Sequence, residues 1–189
     1  ENTGIAAAFA ALPAPDRIAV ANVAGDGKRA VLERALSRLA VRPALEPIWA
    51  RSEPAQCGVV NCYREPDTLG VDRWAALIGA WHRLRGASLV VCAGTATTAD
   101  LLSASGEFRG GVILPGLELM KRALAENTAR LPFSDGAYVE EPRSTADAIE
   151  SGALHAQAGA IERMHARVDA GRRAGSASTA APMCLLSGG

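Results

Sequence analysis

The chain has 189 residues with 20 basic and 20 acidic side chains, so its formal net charge is zero. The balanced charge argues against a nucleic-acid-binding protein, which carries a basic excess or patch. No apolar run in the sequence reaches the roughly 18 residues that a membrane span needs. A hydrophobic fraction of 49% with 21% charged residues excludes a disordered chain and is typical of a globular protein. We expect a cytoplasmic protein whose four cysteines stay reduced.

The first part of the chain predicts strands and helices in alternation. In chain order we expect a strand over 17–23, a helix over 28–39, a short strand over 48–51 and an irregular stretch over 56–63. A helix over 72–84 follows, because Trp74, Leu77 and Trp81 recur at helical spacing. Arg85-Gly86 is expected to end that helix.

The second part predicts a meander of strands followed by helices. The expected elements are strands over 88–92, 99–103 and 108–114, helices over 116–127 and 145–170, and a final strand over 183–187. Turns are expected over 93–98 and at Ser105-Gly106, and a loop over 171–182. We therefore expect two α/β domains, 1–86 and 87–189, with the functional site in a cleft between them. Both ends of the sequence read as truncated, since the last strand stops at Gly188-Gly189.

The stretch over 92–100, CAGTATTAD, places a glycine and three hydroxyls directly after a predicted buried strand. Gly94 would let a ligand approach the backbone closely, and threonine hydroxyls in such a turn suit phosphate oxygens. Asp100 could hold a magnesium ion or its water shell. A plain strand turn with β-branched surface residues explains the same pattern, because the stretch is neither a P-loop nor a dinucleotide fingerprint.

The stretch over 63–74, YREPDTLGVDRW, puts Asp72 and Arg73 at the start of a predicted helix, just after Gly70. A carboxylate in the first turn of a helix is stabilised as the anion. Asp72 therefore suits either an N-terminal cap or a base that accepts a proton from a hydroxyl. Arg73 could bind a substrate carboxylate through its bidentate fork.

Several other residues have simpler explanations. Gly110-Gly111 and Pro115-Gly116 fit hairpin and helix-start positions. Asn127 and Thr128 end a predicted helix and would either reach a ligand or form a C-terminal turn. The three histidines lack ligand partners at suitable spacing, and no Gly-x-Ser-x-Gly nucleophile motif is present.

Four blocks of the sequence resemble type III pantothenate kinases, the family also known for Bvg accessory factors. The block over 63–74 contains Pro-x-x-Leu-Gly-x-Asp-Arg-Trp, and the others lie at 92–132, 142–152 (PRSTADAIESG) and 185–189 (LLSGG). The resemblance implies the acetate-and-sugar-kinase, Hsp70 and actin superfold, with two ribonuclease-H-like halves around a nucleotide cleft. It also implies transfer of the ATP γ-phosphoryl group to the 4′-hydroxyl of pantothenate, the first step of coenzyme A biosynthesis. Mg²⁺ is the implied cofactor, and the implied assembly is a homodimer that shares its sites across the interface.

The resemblance assigns roles to residues that match the family's motifs. Asp72 is expected to be the catalytic base, and Arg73 to bind the pantothenate carboxylate in a pocket walled by Tyr63 and Gly70. Further pantothenate contacts from the partner subunit are expected at Thr145 and Thr128. Contacts with ATP and its phosphates are expected at Gly94, Thr95, Thr97, Thr98, Gly188 and Gly189.

Two departures from the family's pattern bear on activity. The family opens with Asp-x-Gly-Asn-Thr/Ser, its first phosphate-binding loop, which the first four residues do not match. The chain is therefore expected to be inactive unless that loop precedes Glu1. Cys92 stands where many members have an aspartate that helps to bind a monovalent cation. A neutral thiol is a poor potassium ligand, so a requirement for potassium or ammonium is in doubt.

Two other functions remain compatible with these blocks. A regulatory or accessory protein could keep the kinase fold without turnover, although it need not keep both Asp72 and Arg73. A kinase for a different sugar or acid could share the superfold, although the block over 63–74 favours pantothenate.

Overall fold

The computed structural model describes residues 15–37, 46–128, 135–173 and 182–188 of the chain. Within them lie four α-helices, namely α1 (Gly25–Ser37), α2 (Val71–Leu84), α3 (Leu117–Asn127) and α4 (Thr145–Arg173). The strands are β1 (Ala19–Val20), β2 (Ile48–Trp49), β3 (Ala55–Gln56), β4 (Val59–Asn61), β5 (Ser88–Ala93), β6 (Ala96–Leu102), β7 (Glu107–Pro115) and β8 (Met183–Gly188). The expected mixed α/β class is confirmed.

Six of the strands form one mixed sheet in the order β3-β4-β7-β6-β5-β8. Its centre is an antiparallel meander of β5, β6 and β7, joined by tight turns. The turn between β6 and β7 includes the predicted Ser105-Gly106, and Gly106 adopts a positive φ of 82° there. β8 runs parallel to β5, and β4 runs parallel to β7. The meander expected from the second part of the sequence is therefore confirmed.

Helices cover both faces of this sheet because its central strands alternate apolar side chains between the faces. On one face Val90 joins the apolar side of α2, in a core that contains Val59, Leu69, Trp74, Leu77, Ala80, Val90, Leu102 and Phe108. On the other face Leu89 and Val91 pack with α4, in a cluster completed by Ala99, Met164 and Val168. The first face positions the N-terminal end of α2 over β6.

Leu77 is fully buried at the centre of the α2 core, so its truncation tests this packing. Leu77→Ala is expected to lower the free energy of unfolding by about 2–5 kcal/mol, because the lost contacts leave a cavity. Chemical denaturation measures the change. Gly79→Ala is the matched control on the same helix: a Cβ there meets nothing within 4 Å, so stability should rise by roughly 0.5–1 kcal/mol. A loss below about 0.5 kcal/mol for Leu77→Ala would contradict this core, since surface positions behave that way.

A smaller parallel pair, β1 and β2, lies near the start of the described residues. The helix α1 connects the two strands, and the guanidinium of Arg29 lies 4.3 Å from the centre of the Trp49 ring. This arrangement is a strand–helix–strand unit in which a cation–π contact ties the helix to the second strand.

The structure differs from the sequence expectations at several boundaries. The stretch over 56–63, predicted to be irregular, contributes to the β3–β4 hairpin, and β6 begins at Ala96 rather than at residue 99. Pairing with β5 and β7 extends β6 through Thr97 and Thr98, whose β-branched side chains favour a strand. The first strand has two residues instead of seven, and α4 extends through the start of the loop expected over 171–182. Residues 174–181 of that loop, like residues 1–4 and Gly189, lie outside the described part.

In the part of the chain that the structure describes, every helix is too short or too polar to cross a membrane. All four cysteines are free thiols.

Candidate active site

The first turn of α2 presents the carboxylate of Asp72 at an exposed position. Its Oδ1 accepts a hydrogen bond of 2.8 Å from the backbone N–H of Arg73, as expected where the first N–H groups of a helix lack intrahelical partners. Gly70 precedes the helix, and a Cβ at Gly70 would lie 2.7 Å from the same oxygen. The glycine therefore leaves the room that the carboxylate occupies.

Arg73 turns into the protein and forms a buried ion pair with Asp100 on β6. Their residues are 5% and 1% exposed. Nε donates to Oδ2 at 3.1 Å and Nη2 donates to Oδ1 at 2.5 Å, which is the bidentate geometry of a guanidinium and an ionised carboxylate. Burial raises the pKa of Asp100 above its ordinary value, and Arg73 opposes that shift. Burial alone would lower the pKa of Arg73, but its bonds to Asp100 and Tyr63 outweigh burial and raise it.

Tyr63 completes the surroundings of the guanidinium. Its hydroxyl accepts a hydrogen bond of 3.1 Å from Nη1 of Arg73, and its ring centre lies 5.0 Å from that of Phe108. Both rings lie 5.8 Å from Cζ of Arg73. The buried amide of Asn61 orders this loop, since it donates to Pro66 O and accepts from the N–H of Tyr63. The structure thus brings together the predicted site residues Tyr63, Gly70, Asp72 and Arg73.

Gly111 on β7 faces the ion pair from the neighbouring strand, where it is in register with Asp100. A Cβ at this position would overlap Asp100 Oδ1 and lie 3.0 Å from Nη2 of Arg73. Only a residue without a side chain leaves space for the pair, so the close approach requires glycine.

A second cluster of predicted residues lies where β5 turns into β6. Gly94 and Thr95 form that turn, and both are exposed. Gly188 at the end of β8 pairs with Ala93 and lies beside the turn. The backbone N–H of Gly116, just before α3, donates to Thr95 O at 2.9 Å. The sheet therefore gathers the turn, the last described glycine and the N-terminus of α3 at one edge.

Thr97 and Thr98 lie on β6 rather than in the turn, and both are buried. Thr98 faces the same side of the sheet as Asp100, two residues further along, because side chains alternate along a strand. Its hydroxyl oxygen has no hydrogen-bond partner within the described part of the chain. Thr98 is thus a buried polar group placed between the turn and the Arg73–Asp100 pair. By the same alternation, Thr97 faces the α4 side.

The structure places Thr128 and Thr145 away from this cluster, on the helices α3 and α4. The Thr128 hydroxyl donates to Leu124 O at 2.8 Å, at the end of α3. Thr145 opens α4 and lines an apolar groove of about 800 Å³ between the two helices. The groove is also lined by Pro115, Met120, Ala123, Leu124, Asn127, Ala148, Ile149, Gly152, Ala153 and Ala156.

The metal-binding candidates have other contacts. Among the described residues, no three His, Cys, Asp or Glu side chains come together as a metal site. Both oxygens of Asp100 are engaged by Arg73, so this carboxylate is not presented to a magnesium ion. The Cys92 sulfur accepts a contact of 3.5 Å from the Ser187 hydroxyl, and sulfur is a poor ligand for a potassium ion.

Sequence reasoning missed the contacts that fix the guanidinium. The sequence suggests a metal ligand at Asp100, a hairpin residue at Gly111 and a strand residue at Phe108, and none of the three as a neighbour of Arg73. The available signal was the strand pairing, since an antiparallel meander brings the residue after Gly110 opposite Asp100.

Comparison with known proteins identifies relatives along most of the chain. The sequence model of the type III pantothenate kinase family matches residues 3–167. A type III pantothenate kinase of Aromatoleum aromaticum is 51% identical over 180 residues, which cover 95% of this chain and 69% of that protein. One of Dechloromonas aromatica is 48% identical over 177 residues, covering 94% and 69% respectively.

A solved structure shares the fold at lower similarity. It is that of a conserved Baf family protein from Campylobacter jejuni, described as a candidate transcriptional activator. The two structures superpose with a TM-score of 0.55 at 23% sequence identity, covering 84% of this chain and 68% of that one.

Proposed function

The chain belongs to the type III pantothenate kinase family and is an ATP-dependent pantothenate kinase, and we propose that pantothenate binds at the first turn of α2. One observation carries this placement: the exposed carboxylate of Asp72 accepts a hydrogen bond from the backbone N–H of Arg73, and the guanidinium of Arg73 is held in orientation by Asp100 and Tyr63. Pantothenate has a hydroxyl that must lose a proton and a carboxylate that needs a cation. Adjacent residues at this turn provide a base and a cation.

Asp72 acts as the general base toward the 4′-hydroxyl. The hydroxyl oxygen attacks the γ-phosphorus of ATP, the bond between that phosphorus and the β,γ-bridging oxygen breaks, and ADP leaves. The hydroxyl proton passes to the Asp72 carboxylate. Phosphoryl transfer depends mainly on positioning and charge stabilisation, and a base within hydrogen-bond reach adds about 10²–10⁴-fold in rate.

Arg73 binds the pantothenate carboxylate, with Tyr63 and Gly70 forming the wall of that pocket. An arginine has five N–H donors, and among the described residues three of them donate to Asp100 and Tyr63. One N–H on each terminal nitrogen remains for a substrate carboxylate, as in a bidentate pair.

The triphosphate of ATP binds along the turn between β5 and β6. Backbone N–H groups and hydroxyls in such a turn suit phosphate oxygens, and Gly94 and Thr95 are exposed there. Of the two buried threonines, Thr98 is the better phosphate contact, because its hydroxyl has no partner among the described residues and faces the Asp100 side of the sheet. Gly188 lies beside the turn, and we assign Gly188 and Gly189 as contacts to the nucleotide.

Mg²⁺ is assigned to the ATP phosphates, whose charge it neutralises when bound. The described donor set does not fit a separate magnesium site at Asp100, so no step is assigned to an ion held there. Cys92 likewise has no carboxylate that could bind a monovalent cation. We therefore expect catalysis that does not require potassium.

We also propose that the chain has two ribonuclease-H-like halves and forms a homodimer. The antiparallel β5–β6–β7 meander, continued by the parallel β8, supports a ribonuclease-H-like half over 87–189. The β1–α1–β2 unit supports a second half within 1–86, although β3, β4 and α2 of that range join the sheet and core of the half over 87–189. The apolar groove lined by Thr145 and the exposed Leu119 of α3 support a cytoplasmic homodimer that shares its sites, with Thr128 and Thr145 reaching the partner's pantothenate. The proposed dimer involves neither nucleic acid nor membrane.

The test is formation of 4′-phosphopantothenate from ATP and pantothenate by the purified full-length protein, in potassium and in sodium buffers. We expect product in both buffers, at rates within about threefold, since the thiol of Cys92 is a poor potassium ligand. Other sugars and hydroxy acids should not compete. A folded protein that makes no product would contradict the proposed activity and favour an accessory role. The presence of both Asp72 and Arg73 argues against that role, because an accessory protein need not keep them. Dependence on potassium would contradict the interpretation of Cys92.

A further inference from the structure

The buried carboxylate of Asp100 has no part in proton or phosphoryl transfer as described above, yet it makes the closest contacts to Arg73. It lies on β6, a central strand with β5 on one side and β7 on the other. Its two oxygens engage Nε and Nη2 of Arg73. We propose that Asp100 is a positioning residue, which fixes the plane of the Arg73 guanidinium so that its remaining donors face the pantothenate carboxylate. This inference rests on the proposed role of Arg73.

The contacts leave the guanidinium little freedom to rotate. Asp100 occupies its Nε–Nη2 edge, and the Tyr63 hydroxyl accepts from Nη1 at 3.1 Å. A planar guanidinium held at two of its edges keeps a fixed orientation. The two unused N–H groups belong to Nη1 and Nη2, the terminal fork that pairs with two carboxylate oxygens. Asp100 therefore determines where a substrate carboxylate can bind.

The surroundings of Asp100 confine the ion pair with Arg73. Gly111 provides the space that both charged groups fill, since a Cβ there would overlap Asp100 Oδ1. The ring of Phe108 lies 5.8 Å from Cζ of Arg73, and low local polarity strengthens charge-assisted hydrogen bonds. A functional side chain held by a residue on a rigid strand is more accurately placed than one held by a loop.

The test compares two substrates in Asp100→Asn. The substrates are pantothenate and its neutral carboxamide, which keeps the hydroxyl but lacks the negative charge. Asparagine presents an NH₂ group where one carboxylate oxygen stood, and it cannot accept from both nitrogens of Arg73. We expect the KM for pantothenate to rise about tenfold or more, because a charge-assisted hydrogen bond is lost or misdirected. The kcat for pantothenate and the KM for the carboxamide should change less than threefold.

Two further variants separate positioning from general damage. In the double variant Arg73→Gln with Asp100→Asn no buried charge is left unpaired, so it should fold even where the single variant fails. If Asp100 acts through Arg73, the double variant should have the pantothenate KM of Arg73→Gln alone. Leu89→Ala, in the core on the opposite face, is the control for lost stability and should leave both KM values unchanged.

Three outcomes would overturn the inference. The first is an equal rise of the KM for pantothenate and for the carboxamide in Asp100→Asn, and the second is an unchanged KM for pantothenate in that variant. The third is a rise of the pantothenate KM in the double variant that equals the product of the rises in the two single variants. An Arg73→Gln variant with unchanged pantothenate KM would instead refute the role of Arg73 itself. The failure of the positioning proposal is thus distinguishable from the failure of the proposed binding site.

Discussion

Asp72→Asn is expected to lower kcat about 10²–10⁴-fold, because the amide cannot accept the proton of the attacking hydroxyl. The KM for pantothenate should change much less, since asparagine keeps the shape of the side chain. Asparagine also keeps an Oδ1 that can accept the N–H of Arg73, the hydrogen bond that Asp72 makes. The free energy of unfolding should fall by less than about 1 kcal/mol, the usual size of a charge effect at a helix N-terminus.

Asp67→Asn is the matched control for this experiment. Asp67 is exposed in the 3₁₀ turn Pro66–Thr68 that precedes α2, and its carboxylate has no assigned part in catalysis. Its replacement should leave kcat within about twofold, as surface substitutions usually have small effects. Steady-state turnover of both variants, with denaturation curves, provides the comparison. A kcat for Asp72→Asn within tenfold of the parent would refute its role as the base.

Arg73→Gln is expected to affect both binding and stability. The pantothenate KM should rise about 10- to 100-fold, because hydrogen bonds to charged groups contribute about 1.5–3 kcal/mol. The free energy of unfolding should fall by about 3–5 kcal/mol, because the variant leaves the Asp100 carboxylate buried without its partner. Arg73→Lys keeps the charge but not the fork, so it should retain more stability while still raising the KM.

The stability loss in Arg73→Gln should depend on pH in a defined direction. Burial already raises the pKa of Asp100, and Arg73 opposes that shift. Removing Arg73 therefore raises the folded-state pKa further, while the unfolded value stays ordinary. An acid with a raised folded-state pKa stabilises the fold below its unfolded pKa and loses that contribution as the pH rises through the folded value. The deficit relative to the parent should therefore be larger at pH 8 than at pH 5.

Denaturation of the parent and of Arg73→Gln at the two pH values checks this expectation. A deficit that is equal at pH 5 and pH 8, or larger at pH 5, would show that Asp100 is not the buried charge left by the substitution.

The spacing of apolar residues along the sequence was sufficient to predict α2 and β5. The apolar spacing of Trp74, Leu77 and Trp81 predicted α2 within one residue of its observed start. The apolar run over 88–92 predicted β5, observed at Ser88–Ala93, because a strand buried on both faces has no polar alternation. The stretch over 63–74, with Asp72 and Arg73 just after Gly70, likewise predicted these two residues at the start of a helix, as observed in α2.

Pairing between strands that are distant in sequence could not be predicted from the spacing of neighbouring residues. The β3–β4 hairpin looked irregular because each of its strands has only two or three residues, and β4 joins the large sheet by pairing with the distant strand β7. The partner of Arg73 was missed for the same reason, since Asp100 is 27 residues away in sequence. No basic side chain lies near Asp100 in the sequence, so the residues around it suggested a magnesium ion as the partner of its carboxylate.

The most direct test of this account is a crystal structure of the enzyme with bound pantothenate. We expect the pantothenate carboxylate to accept hydrogen bonds from the terminal nitrogens of Arg73, while the Asp100 contacts stay in place. The 4′-hydroxyl should lie within about 3.2 Å of the Asp72 carboxylate, the reach that a general base needs. A substrate carboxylate bound away from Arg73, or a hydroxyl turned away from Asp72, would contradict the proposed site.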